Sequence, residues 1–157
     1  MNKTTNVLLV MILVLLVLNL AMTTILVSKL PTGNETSDRL DPEIARDWGN
    51  KVVELYNRRD HDALYQLFNR QAQVKISEQQ LADQLEKLYQ LFGEIEDHLY
   101  VNAVKLGEKG GERYYQLFFN ARVSGKNRSA TLKLSLILAN DQVSLYGLSV
   151  NASESLE

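Results

Sequence analysis

The sequence predicts an α+β chain: an N-terminal transmembrane helix, then a cone-like domain of three helices packed on a curved antiparallel sheet of four main strands plus one short strand. Three observations predict it. Residues 7–27 carry no charged side chain. Between residues 42 and 92 the apolar side chains recur three and four positions apart, the spacing of one helix face. After Gly93 the period changes to two and holds almost to the end, as in antiparallel strands with one face buried.

The run from Val7 to Val27 is 21 residues long. At about 1.5 Å per residue it spans about 31 Å, close to the roughly 30 Å of a hydrocarbon core. A cleavable signal peptide has an apolar core of about 7–15 residues followed by small residues at the cut. This run is longer, and "TTILVSKLPTG" has no such pattern. The reading is a tail over 1–6, a retained single-pass anchor over 7–28, and insertion in the cytoplasmic membrane. Lys3 before the span and Lys29 and Arg39 after it nearly balance. The short leading tail favours a signal-anchor layout with the C-terminal domain outside. Asn19 and Thr23 share a helix face and can hydrogen-bond to a neighbouring span. Residues 29–41, rich in Pro, Gly, Ser and Thr, read as a linker. The domain then covers 42–151, and 152–157 is a tail.

Asp41-Pro42-Glu43 starts the first helix with a cap, a residue suited to the first turn and an acid at the positive end. Trp48, Val52, Leu55 and Tyr56 form its apolar stripe, and it ends near Arg58. Asp60 caps a second short helix carrying Ala63, Leu64, Leu67 and Phe68. "AQVKI" reads as the short extended piece. Ser77 and Gln80 form a capping box, with Ile76 and Leu81 placed as a staple across it. Leu81, Leu85, Leu88 and Phe92 continue the stripe, and Gly93 closes the helix. Four strands follow near 95–106, 112–123, 128–139 and 142–151, joined by "GEKGGE", "SGKN" and "AND". Arg113, Tyr115, Leu117, Phe119, Ala121 and Val123 share one face of the second strand; Ala130, Leu132, Leu134, Leu136 and Leu138 share one face of the third. In the last strand the apolar phase slips between Leu145 and Tyr146, beside Gly147, which predicts a bulge.

This order of helices and meander resembles the nuclear-transport-factor-2-like superfamily, the cystatin-like α+β form. The segment "NRRDHDALYQLFNRQAQVKISEQQLADQLEKLYQLFGEI" resembles a bacterial branch of small membrane-anchored or secreted domains, at Asp60 or Asp62, Leu64, Phe68, Ser77, Leu81 and Gly93. The resemblance spans about residues 42–151. Its shared positions are packing and capping residues, so it implies a fold and no catalytic set.

Composition removes several function classes. The net charge is −2, and neither "NRRDH" nor "GKNRSATLK" is dense enough to expect nucleic acid. The chain has no cysteine, hence no disulfide or thiolate metal site, and its two histidines lie far apart in sequence. "GEKGGE" joins two strands and is not a phosphate loop. Asn34, Asn127 and Asn151 stand in glycosylation sequons. The groups able to do acid–base work are Asp47, Tyr56, His61, Asp97, His98, Tyr100, Tyr115 and Tyr146. The leucine-rich face carries no acid of the kind a raised-pKa base requires. The expectation is no catalytic, cofactor or metal site. Tyr114 and Phe118, opposite the leucine face, with His98 and Tyr100, are the candidate interaction surface. His98, Tyr100 and Asn102 are expected on one face. Arg113, Tyr115, Tyr146 and Trp48 are the candidate cavity. The function expected is a membrane-tethered, non-catalytic domain binding a protein partner or a second copy; a small ligand in the cone cavity is the alternative, with an enzyme or a secretion-system component behind it.

Overall fold

The computed structural model describes residues 39–125 and 128–152. The expected tail, anchor and most of the linker fall outside them, as do the end of the C-terminal tail and the sequons at Asn34 and Asn127. No helix among the described residues is long and apolar enough to cross a membrane.

The domain is α+β, with helices α1 (Pro42–Asn57), α2 (His61–Gln66), α3 (Arg70–Lys75) and α4 (Glu78–Phe92). Strands β1 (Ile95–Lys109), β2 (Glu112–Val123), β3 (Ser129–Ala139) and β4 (Gln142–Ala152) follow. They form one antiparallel sheet in the order β1-β2-β3-β4. The caps act where the sequence puts them. Asp41 accepts from Glu43 N at 2.9 Å, Asp60 from Ala63 N at 3.2 Å, and Ser77 and Gln80 exchange both bonds of the capping box. Gly93 ends α4 at φ 70°. A Cβ there would stand 2.2 Å from Ser124 Oγ, so the position needs glycine twice over. Leu40, expected in the linker, is only 5% exposed and joins the core.

Two expectations fail together. "AQVKI" is largely helical: Asn69 caps α3 by accepting from Ala72 N at 2.8 Å, and Ala72 is buried. Among the described residues the helices are therefore four, and no fifth strand forms. A single parallel bridge, Phe68 to Leu145, stands in its place: Asn69 N donates to Leu145 O at 2.7 Å and Leu145 N to Leu67 O at 2.8 Å. It covers part of the β4 edge.

One sheet face packs on the helices. Tyr115, Leu117, Phe119, Leu132, Leu134, Leu136 and Leu145 are each at most 1% exposed there. The predicted bulge is present: Ser135 pairs with Gly147 and Leu136 with Leu145, leaving Tyr146 as the extra residue. Gly49 lets α1 press on the sheet, since a Cβ would lie 2.5 Å from Phe119 Cε1.

Candidate interaction surface

β1 is an edge strand: among the described strands it pairs with β2 alone. Its register shifts three times, leaving Glu96, Val101 and Leu106 unpaired. Each extra residue resets which side chains face which way. His98 and Tyr100 stand opposite Ala121 and Phe119, on the helix-facing side. Past the Val101 bulge, Asn102 and Val104 stand opposite Phe118 and Gln116, on the outer side. The shared face expected for His98, Tyr100 and Asn102 is thus corrected: Asn102 has crossed over. The four expected interface residues separate in the same way, His98 and Tyr100 inward, Tyr114 and Phe118 outward.

The inward pair meets α1. His98 Nε2 donates to Asn50 Oδ1 at 2.9 Å. The Arg46 guanidinium lies 5.8 Å from the centre of the Tyr100 ring, which meets Phe119 edge-on at 5.6 Å. These residues and Leu99 line a cleft of about 140 Å³. Partial burial lowers the His98 pKa below its usual 6.5, against an opposing pull from Asp97. Burial therefore favours the neutral ring, which suits a fixed hydrogen bond.

The outward pair is half-buried. Tyr114 donates to Glu112 Oε2 at 2.6 Å and meets Tyr146 edge-on at 6.3 Å. Burial first, then the Glu112 carboxylate, push its phenol up to about 12. Lys75 reaches back from α3 to the Tyr146 hydroxyl at 2.6 Å. Ile137, opposite Tyr114, is only 2% exposed on this side. Phe118 lies beneath Lys133, 5.6 Å from ring centre to Nζ. The Tyr114 end of the outer face is therefore already in contact with its own chain.

The cavity residues do not gather around one space. Tyr115 is in the core at 1% exposure, and its hydroxyl has no hydrogen-bond partner among the described residues. Tyr146 sits at the β4 edge with Tyr114 and Lys75. Trp48 lies on α1 with Lys51 over its ring at 5.6 Å, and Arg113 stands between Glu108 and Leu138 in the sheet. The acid–base candidates are dispersed as well. Tyr56 donates to Gly93 O at 3.1 Å, and burial raises its pKa to about 12. His61 lies 3.9 Å from Glu86, which pairs with Arg59; Asp47 and Asp97 are exposed. Among the described residues no three His, Cys, Asp or Glu side chains converge as a metal site would require.

The surface that sequence reasoning missed is on β1 itself. Five large hydrophobics are exposed among the described residues, and three lie on this strand: Leu99 at 69%, Val101 at 51% and Val104 at 43%. The signal was legible as apolar side chains in both phases of one strand. Such a strand is either buried on both faces or open to a partner on one. No protein-family model matches this sequence, and no curated protein matches it significantly.

Proposed function

We propose that the chain is a membrane-tethered, non-catalytic binding module that docks a protein along β1. The observation that carries this reading is the clustering of Leu99, Val101 and Val104 on an edge strand whose outer backbone is unpaired by any described strand. Edge strands bind extended partners through main-chain hydrogen bonds and alternate side-chain contacts. The uncharged run over 7–27 supports the tether, single-pass in the cytoplasmic membrane with the domain outside. Bulges in both edge strands, three in β1 and one in β4, support a curved, cone-like sheet and with it the nuclear-transport-factor-2-like reading.

The test is a photo-crosslinking residue at position 101 of the full chain in cells. A recurrent crosslinked protein that disappears with Leu99→Asp or Val104→Asp, but persists with Tyr114→Ala and Phe118→Ala, is the expected result. Crosslinks insensitive to both β1 changes overturn the reading. A second reading, small-ligand binding, has one observation in its favour, the Arg46–His98 cleft. At about 140 Å³ it is well below the roughly 300–1,000 Å³ of ordinary ligand pockets.

A further inference from the structure

We infer that what docks on β1 is a second copy of this chain, antiparallel to the first, about a two-fold axis passing between Val101 and Asn102. The inference rests on the reading of β1 as the docking strand and adds the occupant.

The argument begins with which way each side chain of β1 faces. In an antiparallel pair, side chains directly opposite one another must lie on the same side of the sheet. A regular strand pairing with itself about a point between two residues violates this, because opposite positions then differ in parity. The bulge at Val101 removes the conflict. Asp97 and Leu99 face outward, His98 and Tyr100 inward; beyond the bulge, Asn102 and Val104 face outward, Ala103 and Lys105 inward. About the point between Val101 and Asn102, residues 98–100 and 103–105 mirror one another: in-out-in on one side, in-out-in on the other. A two-fold between Val101 and Asn102 sets Leu99 against the second copy's Val104, outward on outward. It sets Tyr100 against the second copy's Ala103 and His98 against its Lys105, inward on inward.

The side-chain chemistry selects this register. Leu99 and Val104 are exposed apolar groups, and here they cover one another twice. Sliding by two positions, the next register that matches faces, sets Val104 against Asp97 and Leu99 against Asn102. That buries apolar surface against a carboxylate and an amide. The charges at the ends are largely matched within each chain, Glu96 with Arg122 at 3.1 Å and Lys105 with Glu108 at 3.1 Å, so the apolar pairing and not charge selects the register. The same bulges, at Val101 and Leu106, confine regular pairing to 98–100 against 103–105 of the second copy, so the ladder is short. A short ladder closes a dimer and does not template an open fibre.

The chain has no cysteine, so introduced thiols report the register directly. In this dimer the two Val101 Cα atoms are diagonal neighbours, about 6 Å apart from an inter-strand spacing of ~4.8 Å and a rise of ~3.4 Å, within disulfide range. The two Leu99 Cα atoms are roughly 17 Å apart at the same rise, beyond any disulfide. Full chains carrying Val101→Cys, Leu99→Cys, Val104→Cys or the exposed control Val74→Cys are oxidised mildly in cells and resolved by mass. The expected result is a band of twice the chain mass for Val101→Cys. Leu99→Cys and Val104→Cys chains should link when co-expressed and not alone, and Val74→Cys should stay single. All four sites are exposed, so folding is not at stake. Equal linking at Val74 and Val101, or self-linking of Leu99→Cys alone, overturns the register. A Val101→Cys chain that links only to a different protein overturns self-pairing and leaves β1 as the docking strand. One that links to nothing overturns both.

Discussion

The Asn57 carboxamide and the Ile95 backbone exchange two hydrogen bonds: Asn57 Nδ2 donates to Ile95 O at 2.9 Å, and Ile95 N donates to Asn57 Oδ1 at 2.9 Å. The last residue of α1 thus serves the first residue of β1 as a strand would. Ile95 is 4% exposed, so water is a poor substitute. Asn57→Ala leaves a backbone donor and acceptor unpaired and is expected to cost about 1–3 kcal/mol. Urea denaturation of the full chain measures it. A change below about 0.5 kcal/mol, under the usual worth of even one such bond, means the latch is not formed in solution.

Gly49 and Phe119 give a second expectation. Alanine favours a helix over glycine by about 1 kcal/mol. Here its Cβ would stand 2.5 Å and 2.7 Å from two ring carbons of a fully buried Phe119. Overpacking of this kind costs about 1–3 kcal/mol, so Gly49→Ala should come out neutral to destabilising despite its propensity. Combined with Phe119→Leu the clash is gone and alanine should turn stabilising. The sign of that coupling in a double-mutant cycle decides it.

His98 makes stability depend on pH. Its folded pKa is below the 6.5 of the unfolded chain, because burial disfavours the charged ring. The unfolded state therefore binds more protons in this window, and stability rises with pH. The contribution is present in full above about pH 6.5 and is lost as pH falls through the lowered folded value. Urea midpoints between pH 7.5 and 5 should fall more steeply for the natural chain than for His98→Gln. His61 is common to both chains, so the difference isolates His98. Parallel slopes would refute the assignment.

Tyr115 carries a hydroxyl into the core without a partner. An unpaired buried polar group costs about 1–3 kcal/mol. Tyr115→Phe removes the group and keeps the ring, and is expected to stabilise the domain by about 1 kcal/mol. Thermal unfolding of the full chain provides the check. A loss of stability would mean that the hydroxyl is hydrogen-bonded in solution, to water or to a bound molecule.

What the sequence made legible was whatever depends on neighbours in the chain. Ser77 and Gln80 cap α4 three residues apart, and alternation along β2 and β3 defines the buried face before any partner is known. Tyr146 announced its bulge because β4 has a buried face whose phase visibly slips. The bulge at Val101 gave no such sign, because the strand there is apolar in both phases, and so Asn102 was assigned the wrong side. Helix α3 was hidden for a related reason. Val74 and Ile76 alternate like a strand, while the deciding contacts, the Asn69 cap and the burial of Ala72, involve residues that composition alone does not rank. Tyr114 and Phe118 face outward, as alternation along β2 predicts, but the contacts that Tyr146, held by Lys75, and Lys133 make with them come from elsewhere in the chain, where a local pattern carries no sign of them.

The Phe68–Leu145 bridge has a consequence in time. Every pairing within the sheet joins strands consecutive in sequence, so each closes as a local hairpin. The bridge joins segments far apart in the chain and is favoured only after those hairpins exist. Refolding from denaturant is therefore expected to close the hairpins first and to cover the β4 edge last. On the ribosome the sequence of events is reversed. Residues 67–69 are made before β4, so the segment that covers the strand is already available when the strand forms.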